Sequence, residues 1–353
     1  MRLSQLMTAL PSLEAQPDAD PEVALVTDDS RRVEPGALFV AYPGVSVDGH
    51  RFIPDAIARG AAAIVGEVDL TAALQTAAGQ ANAKGAEIGN KKPALSAPSA
   101  VKIPYVRVRS GREAFAWLHA AWNGFPARQL IMIGVTGTDG KTTTTNLTYS
   151  ILKAAGIRAG MISTVNAVIG DEALDTGLHV TTPDADEVQR YLRRMVDAGL
   201  THCVLEVTSH GLQHHRADAC EFDVAVVTNI THEHLDLHGS LDAYRAAKAR
   251  LFESLATAYD KGMPKTAVLN RDDSSFAYLR ERVQSRVCAY EIAHHGDAES
   301  TETNIDNSVP SVPRGGFALS PWFNHIMRAH SIVYAPEATR FTVAGDSFAF
   351  PVE

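Results

Sequence analysis

The sequence predicts an α/β protein, with a small α/β N-terminal domain followed by a larger domain built on a parallel sheet. Three observations lead there. Short apolar runs recur along the chain and alternate with stretches of helical spacing, the pattern of strands joined by crossover helices. The 353 residues exceed one ordinary domain, so two are expected. Apolar residues at 45% against 21% charged supply material for two cores, while no apolar run reaches membrane-spanning length.

The elements follow in order. Residues 23–27 and 37–41 read as strands, and 55–58 as part of a helix feeding a strand at 61–65. Composition then shifts. Residues 71–100 are rich in Ala, Gly, Ser and Lys with almost no large apolar side chain, which reads as a flexible surface insertion; a helical start is the alternative. A strand at 105–108 and a helix at 112–122 resume the pattern, and the boundary falls near 123–128, giving domains 1–125 and 126–353. The second domain opens with the apolar run 130–136, a Gly-rich turn and a helix at 141–155. Strands at 203–207, 224–229 and 266–270, with helices at 187–198 and 241–254, continue the parallel winding. After about residue 293 the pattern weakens: 294–316 is polar and broken by Pro and Gly and reads as loop, and 341–352 alternates like a terminal hairpin.

Charge and cysteine usage narrow the function classes. Lys+Arg 32 minus Asp+Glu 41 gives −9, a poor balance for tracking a nucleic-acid backbone. Cys203, Cys220 and Cys288 form no CxxC pair, against both a disulfide framework and a cysteine zinc site. The N-terminus lacks an apolar signal core, so a cytoplasmic protein with no membrane or nucleic-acid partner is expected.

The sharpest chemical signal is GVTGTDGKTT at 134–143, placed after a strand and opening a helix. Glycines let backbone N–H groups approach phosphate oxygens, the helix N-terminus adds a favourable dipole, and Lys141 neutralises phosphate charge. The Thr142 hydroxyl would hold Mg²⁺. The general GxxxxGK[ST] pattern calls for Gly where Val135 stands; this chain has the shorter GTxGKTT form at 137–143. Glu206 ends an apolar strand and is placed for the same Mg²⁺, since ligands gather at the carboxyl ends of parallel strands. His234 and Asp236 leave the next strand in the same way. His232, His234 and His238, with His210, His214 and His215, are a rival zinc reading, but the cation of a bound nucleotide is Mg²⁺, which prefers oxygen ligands.

These residues resemble the Mur ligases, ATP-dependent amide-bond ligases of bacterial cell-wall precursor synthesis. The GTxGKTTT loop carries the family resemblance, and three further blocks resemble the MurE type: DSRRVEPGALFV at 29–40 with Gly44 and DGH at 48–50, TTP at 181–183, and EVTSHG at 206–211. The resemblance implies a UDP-binding N-terminal domain and a central P-loop-type parallel-sheet ATPase domain. It implies UDP-N-acetylmuramoyl-L-alanyl-D-glutamate and an amino acid as partners, ATP and Mg²⁺ as cofactors, and a monomer. Residue by residue, it places Asp28, Ser30, Val45, Ser46 and Val47 at the uridine end of the substrate. Thr181, Thr182, Thr208, His214 and Arg216 fall on the muramoyl-peptide part, with Thr208 where Ser is commoner and His214 where Gln is frequent. Gly137, Thr138, Asp139, Gly140, Lys141, Thr142 and Thr143 form the ATP loop, Asp139 standing where Asn is commoner. Glu206 and His234 fall on Mg²⁺ ligands. By its own pattern Lys248 reads as a solvated helix lysine, whereas the resemblance makes it a carbamylated lysine serving a second Mg²⁺. The catalytic set implied is Lys141, His234 and Lys248. The family carries a third, amino-acid-binding domain, and the chain stops at Glu353 before one. Alternatives are a folylpolyglutamate-type ligase or a non-catalytic nucleotide-binding module; the block at 29–50 argues against the first.

Overall fold

Two central strands that are apolar throughout, Ala37–Val40 and Ala63–Gly66, mark the first sheet. The computed structural model describes residues 1–15, 17–45, 47–75, 103–175, 182–231, 239–292, 327–335, 338–343 and 346–351. By its internal contacts the chain divides into two units, Met1–Ile133 with Thr142–Phe222, and Gly134–Lys141 with Asp223–Glu353.

The first unit holds a five-stranded sheet of β1 (Leu13–Ala15), β2 (Leu25–Thr27), β3 (Ala37–Val40), β4 (Ala63–Gly66) and β5 (Tyr105–Val108), in the order β1-β5-β4-β3-β2. Strands β2 to β5 run parallel, with Leu25 opposite Ala37, Leu38 opposite Ala63 and Ile64 opposite Tyr105. Only β1 is antiparallel, on β5. Every residue of β3 and β4 is buried, as expected of a parallel sheet covered on both faces. One face packs Leu38, Val40, Val65 and Val106 against Phe115 and Leu118 of the helix Gly111–Trp122. That helix starts where the Ser110 hydroxyl accepts from the Glu113 amide, an N-cap that satisfies one of its free donors. The opposite face packs Phe39 and Ile64 with Ile53 of the helix Ile53–Ala58.

Five more strands follow: β6 (Ile131–Thr136), β7 (Ala159–Ile162), β8 (Asn166–Ile169), β9 (Glu172–Asp175) and β10 (His202–Glu206). β10 lies parallel to β7, and β7, β8 and β9 form an antiparallel meander. The helix Lys141–Ala154 follows β6, and Ala185–Asp197 precedes β10.

In the second unit β11 (Val224–Val227), β12 (Thr266–Asn270), β13 (Arg286–Ile292) and β14 (Met327–Ala335) are parallel in turn, while β15 (Ala338–Val343) and β16 (Asp346–Pro351) add an antiparallel hairpin. The last three residues of β6 belong to this unit, where the Thr228 amide donates to the Thr136 carbonyl. Ahead of β11's first residue, buried Asp223 receives Lys261 and Lys265 at 2.6 and 2.7 Å.

The strands expected near 23, 37, 61, 105, 130, 203, 224 and 266 are present within a few residues, and so is the terminal hairpin. Of the two readings of the insertion's start, the helical one holds over residues 70–75, where Ala73 and Leu74 are buried with Phe39 and Ile64 of β3 and β4. The rest of 76–100 lies outside the described residues. The stretch 294–316, expected as loop, lies outside the described residues, and strand β14 follows it. No helix among the described residues is long and apolar enough to cross a membrane.

Candidate functional site

In the second unit the glycine loop is held by its own backbone. A Cβ on Gly137 would stand 1.8 Å from the Thr228 hydroxyl oxygen, so only glycine fits, and Gly140 has φ +74°, a region that also favours glycine. The Thr138 amide donates to the Asn229 carbonyl at 2.8 Å, and the Asp139 amide to the Asn229 side-chain oxygen at 2.9 Å. The Asp139 carbonyl in turn accepts from the Thr228 hydroxyl at 2.6 Å and the Asn229 amide group at 3.3 Å. The Thr138 hydroxyl accepts from the Thr231 amide at 2.9 Å. Lys141 donates to the Thr138 carbonyl at 2.7 Å.

Lys248 is not the solvated lysine its local pattern suggests. It lies on the buried face of Leu241–Glu253, 1% exposed, with Nζ 2.6 Å from the Gly137 carbonyl oxygen and over the Tyr244 ring at 4.5 Å. The loop carbonyl and the π-face both favour a cation here.

In the first unit Glu206 ends β10 and is 1% exposed. Its carboxylate accepts from the Thr142 hydroxyl at 3.0 and 3.1 Å and from the Thr164 amide at 3.0 Å. A hydroxyl and a buried carboxylate, both hard oxygen donors at the first turn of a helix, suit Mg²⁺. Thr143 is exposed one residue further on.

Beyond Glu206 the chain turns through a network of threonines. The Thr182 hydroxyl pairs with that of Thr208 at 3.0 Å, and the Thr208 hydroxyl also accepts from the Gly211 amide, capping Ser209–Gln213. Arg216 donates to the Thr182 carbonyl at 3.0 Å and pairs with Asp184 at 3.0 Å. His214 meets His210 with ring centroids 4.1 Å apart and planes tilted by 60°. Burial, then His210 and the nearby arginines, push its imidazole down to about 4.

Asp28, His214 and Arg216 share the walls of one cleft of about 320 Å³. Tyr42, Arg32, Arg112, Asp184 and Arg190 line it too. The Tyr42 hydroxyl donates to Asp28, whose carboxyl is raised by burial and by Asp186 and Asp184. Arg112 lies over the Tyr42 ring at 4.9 Å and donates to the Pro43 carbonyl at 3.0 Å. Ser30, Val45 and Val47 are not among the lining residues; Ser30 sits in the turn Ser30–Arg32, and Val45 is 83% exposed. The loop that carries Val45 is closed by the Gly44 amide donating to the Val47 carbonyl at 2.9 Å. Ser46, Thr181, His234 and Asp236 lie outside the described residues. Among the described residues no group of three or more His, Cys, Asp or Glu is placed to hold a metal.

Residues that sequence reasoning missed are mainly the cleft's aromatic and arginine walls. Arg32 lay within the block at 29–40 and Asp184 beside TTP, so adjacency to those motifs was an available signal. Tyr42, between Val40 and Gly44, carried the same signal, whereas Arg112 and Arg190 carried none.

Comparison with known proteins gives consistent matches. Residues 135–314 match the Mur ligase middle domain, and residues 22–122 match the Mur ligase family catalytic domain. The chain is 40% identical over 310 residues to a UDP-N-acetylmuramyl-tripeptide synthetase of Roseiflexus sp. (strain RS-1), covering 86% of this chain and 56% of that protein. It is 37% identical over 305 residues to a UDP-N-acetylmuramoyl-L-alanyl-D-glutamate--2,6-diaminopimelate ligase of Geobacillus kaustophilus (strain HTA426), with coverage of 86% and 56%. The chain thus spans about half the length of the curated relatives it matches. Among solved structures, a UDP-N-acetylmuramoyl-L-alanyl-D-glutamate--2,6-diaminopimelate ligase aligns with TM-score 0.62 at 23% identity, over 93% of this chain and 55% of that one. MurF from Acinetobacter baumannii aligns with TM-score 0.53 at 18% identity, over 99% and 60%. At these identities the structural likeness speaks to the fold.

Proposed function

The chain belongs to the Mur ligase family, and from that premise we propose that it serves the ATP-dependent addition of the third amino acid to UDP-N-acetylmuramoyl-L-alanyl-D-glutamate, in cytoplasmic synthesis of peptidoglycan precursors. The observation that carries this reading is the glycine loop fixed at Gly137 and Gly140 and followed by Thr142, whose hydroxyl meets buried Glu206. Backbone amides and Lys141 suit the phosphates of ATP. The names of the curated relatives support the acceptor.

In this mechanism an oxygen of the D-Glu γ-carboxylate attacks the γ-phosphorus of ATP. The bond to the bridging oxygen breaks, leaving ADP and an acyl phosphate. The amine of the incoming amino acid then adds to the acyl carbon, loses its proton and expels inorganic phosphate. Negative charge on the transferring oxygens would be met by Lys141 and by amides at the start of the helix Lys141–Ala154, the Thr138 and Asp139 amides being bound to Asn229, and most of the protein's contribution is positioning and charge stabilisation. The Thr142 hydroxyl and Glu206 would hold Mg²⁺, which when bound supplies charge neutralisation at the phosphate oxygens. His234 is proposed as a further ligand. As a carbamate, Lys248 would exchange its donation to the Gly137 carbonyl for an anionic oxygen pair; as an ammonium it braces the loop. Arg216, His214, Thr182 and Thr208 are proposed to hold the muramoyl-peptide, and Asp28, Ser30 and residues 45–47 the uridine.

The test is calorimetry on this chain with MgATP and with UDP-N-acetylmuramoyl-dipeptide. Lys141→Ala should weaken ATP binding by more than about tenfold and leave the acceptor's affinity unchanged. Equal ATP affinity in both proteins would overturn the role of the loop. Failure of the unsubstituted chain to bind the acceptor would overturn the substrate reading.

A further inference from the structure

Two residues of the cleft wall, His214 and Arg216, stand on either side of one that does not line it. That residue, His215, has φ +59°, a left-handed conformation uncommon away from glycine because Cβ crowds the backbone. The turn it makes ends the helix Ser209–Gln213. The His215 amide donates to the Leu212 carbonyl at 3.3 Å, and the Arg216 amide reaches back to the Gly211 carbonyl at 2.8 Å. This is a Schellman closure, in which glycine usually takes the left-handed place. Arg216 is therefore delivered to the cleft by a turn that depends on its neighbour's unfavourable backbone.

A strained residue persists only where its surroundings hold it. Here Asp218 supplies the hold: its carboxylate lies 2.7 Å from His215 Nδ1, and its amide donates to the His215 carbonyl at 3.3 Å. Both side chains are largely buried. A carboxylate only accepts, so Nδ1 carries the hydrogen and donates. Neither His215 nor Asp218 is among the residues lining the cleft. Two more left-handed residues follow, Ala219 and Glu221, and they are braced as well. Gln189 donates to the Ala219 carbonyl at 3.4 Å, and Arg128 to the Glu221 carboxylate at 2.8 and 3.2 Å.

We propose that His215 and Asp218 are positioning residues of the acceptor site: their pair holds the left-handed turn that sets His214 and Arg216 in the cleft wall. That role rests on the reading of the cleft as the acceptor site. Without the pair, His215 relaxes toward an ordinary backbone and the Arg216 amide loses the Gly211 carbonyl. The guanidinium then leaves the Thr182 carbonyl and Asp184, each now 3.0 Å away.

The experiment is calorimetry on the whole chain with UDP-N-acetylmuramoyl-dipeptide and with MgATP, together with ¹⁵N spectra of the Arg216 Nε–H that faces Asp184. Asp218→Ala should weaken the acceptor about three- to tenfold, leave MgATP unchanged and move the Arg216 signal. Asp218→Asn, which still presents an oxygen to Nδ1, should restore the acceptor affinity to within about twofold and return the signal. His215→Gly accepts the left-handed turn without strain, so its urea midpoint should hold or rise, yet its acceptor affinity should fall as in Asp218→Ala. A role in folding alone predicts the opposite, full acceptor affinity in that variant, and would overturn the proposal. An unmoved Arg216 signal in Asp218→Ala, no rescue by asparagine, or equal losses for MgATP and acceptor would overturn it too. Should the unsubstituted chain fail to bind the dipeptide, the acceptor reading falls, and the Arg216 signal still decides whether the pair positions this side chain.

Discussion

The glycine loop of the second unit and the cleft of the first are built in different ways. Around Gly137 the backbone makes the site: the amides of Thr138 and Asp139 and the carbonyls of Gly137 and Asp139 are all engaged, and side chains mainly brace them. In the cleft, side chains make the site, with Asp28, Tyr42, Arg112, Arg190, His214 and Arg216 arriving from separate segments. A site made of backbone tolerates few sequences over a short stretch. A site made of side chains can be retuned one residue at a time, which suits a pocket that selects among acceptors.

Substitutions sharpen that contrast. The largest effect is expected from Gly137→Ala. The added methyl would collide with Thr228, so stability should fall by about 3 kcal/mol, read from the urea midpoint, with ATP binding lost. Normal ATP binding would break the view that the backbone makes this site.

Second is acid sensitivity on the cleft side. His119 titrates at about 3 when folded against 6.5 ordinarily, so the unfolded chain binds its proton more readily. Its contribution is complete above pH 6.5, declines as pH falls toward 3, and levels below that. His119→Phe should flatten that pH dependence, seen by comparing unfolding free energies at several pH values in this window. Parallel curves for the two proteins would refute it.

Arg216→Lys comes third. It keeps the charge but cannot reach the Thr182 carbonyl and Asp184 with one planar fork. Acceptor affinity should drop about tenfold by calorimetry while ATP affinity holds; an equal loss of both would show that the two regions are not independent. The smallest effect is expected from Thr142→Val, which removes one of the donors to Glu206. About 1 kcal/mol of stability should go, and the Mg²⁺ concentration needed for half-maximal ATP binding should rise.

The same contrast explains what the sequence could disclose. A loop made by backbone needs glycines at fixed spacing next to a lysine, so GTDGKT could be read without a structure. Lys248 could not, because helix periodicity alone does not say that its face is turned to the core beneath Gly137. Strands buried along all or nearly all of their length, such as β3, β4 and β6, stood out as continuous apolar runs. The hairpin of β8 and β9 escaped notice because β9 is largely exposed and its residues, Glu-Ala-Leu-Asp, favour helix over strand. Arg112 lies in unremarkable sequence and acquires meaning only when the turn after β3, with Tyr42, meets the start of the helix Gly111–Trp122.

The loop closed by Gly44 and Val47 has a thermodynamic consequence. It keeps the Val45 side chain 83% in water, on the segment proposed to meet the uridine. Covering that surface with a nucleobase would release ordered hydration and lower the heat capacity of the complex. The enthalpy of uridine nucleotide binding should therefore grow more negative with rising temperature, and Val45→Ser should flatten that slope even where the affinity at 25 °C barely moves.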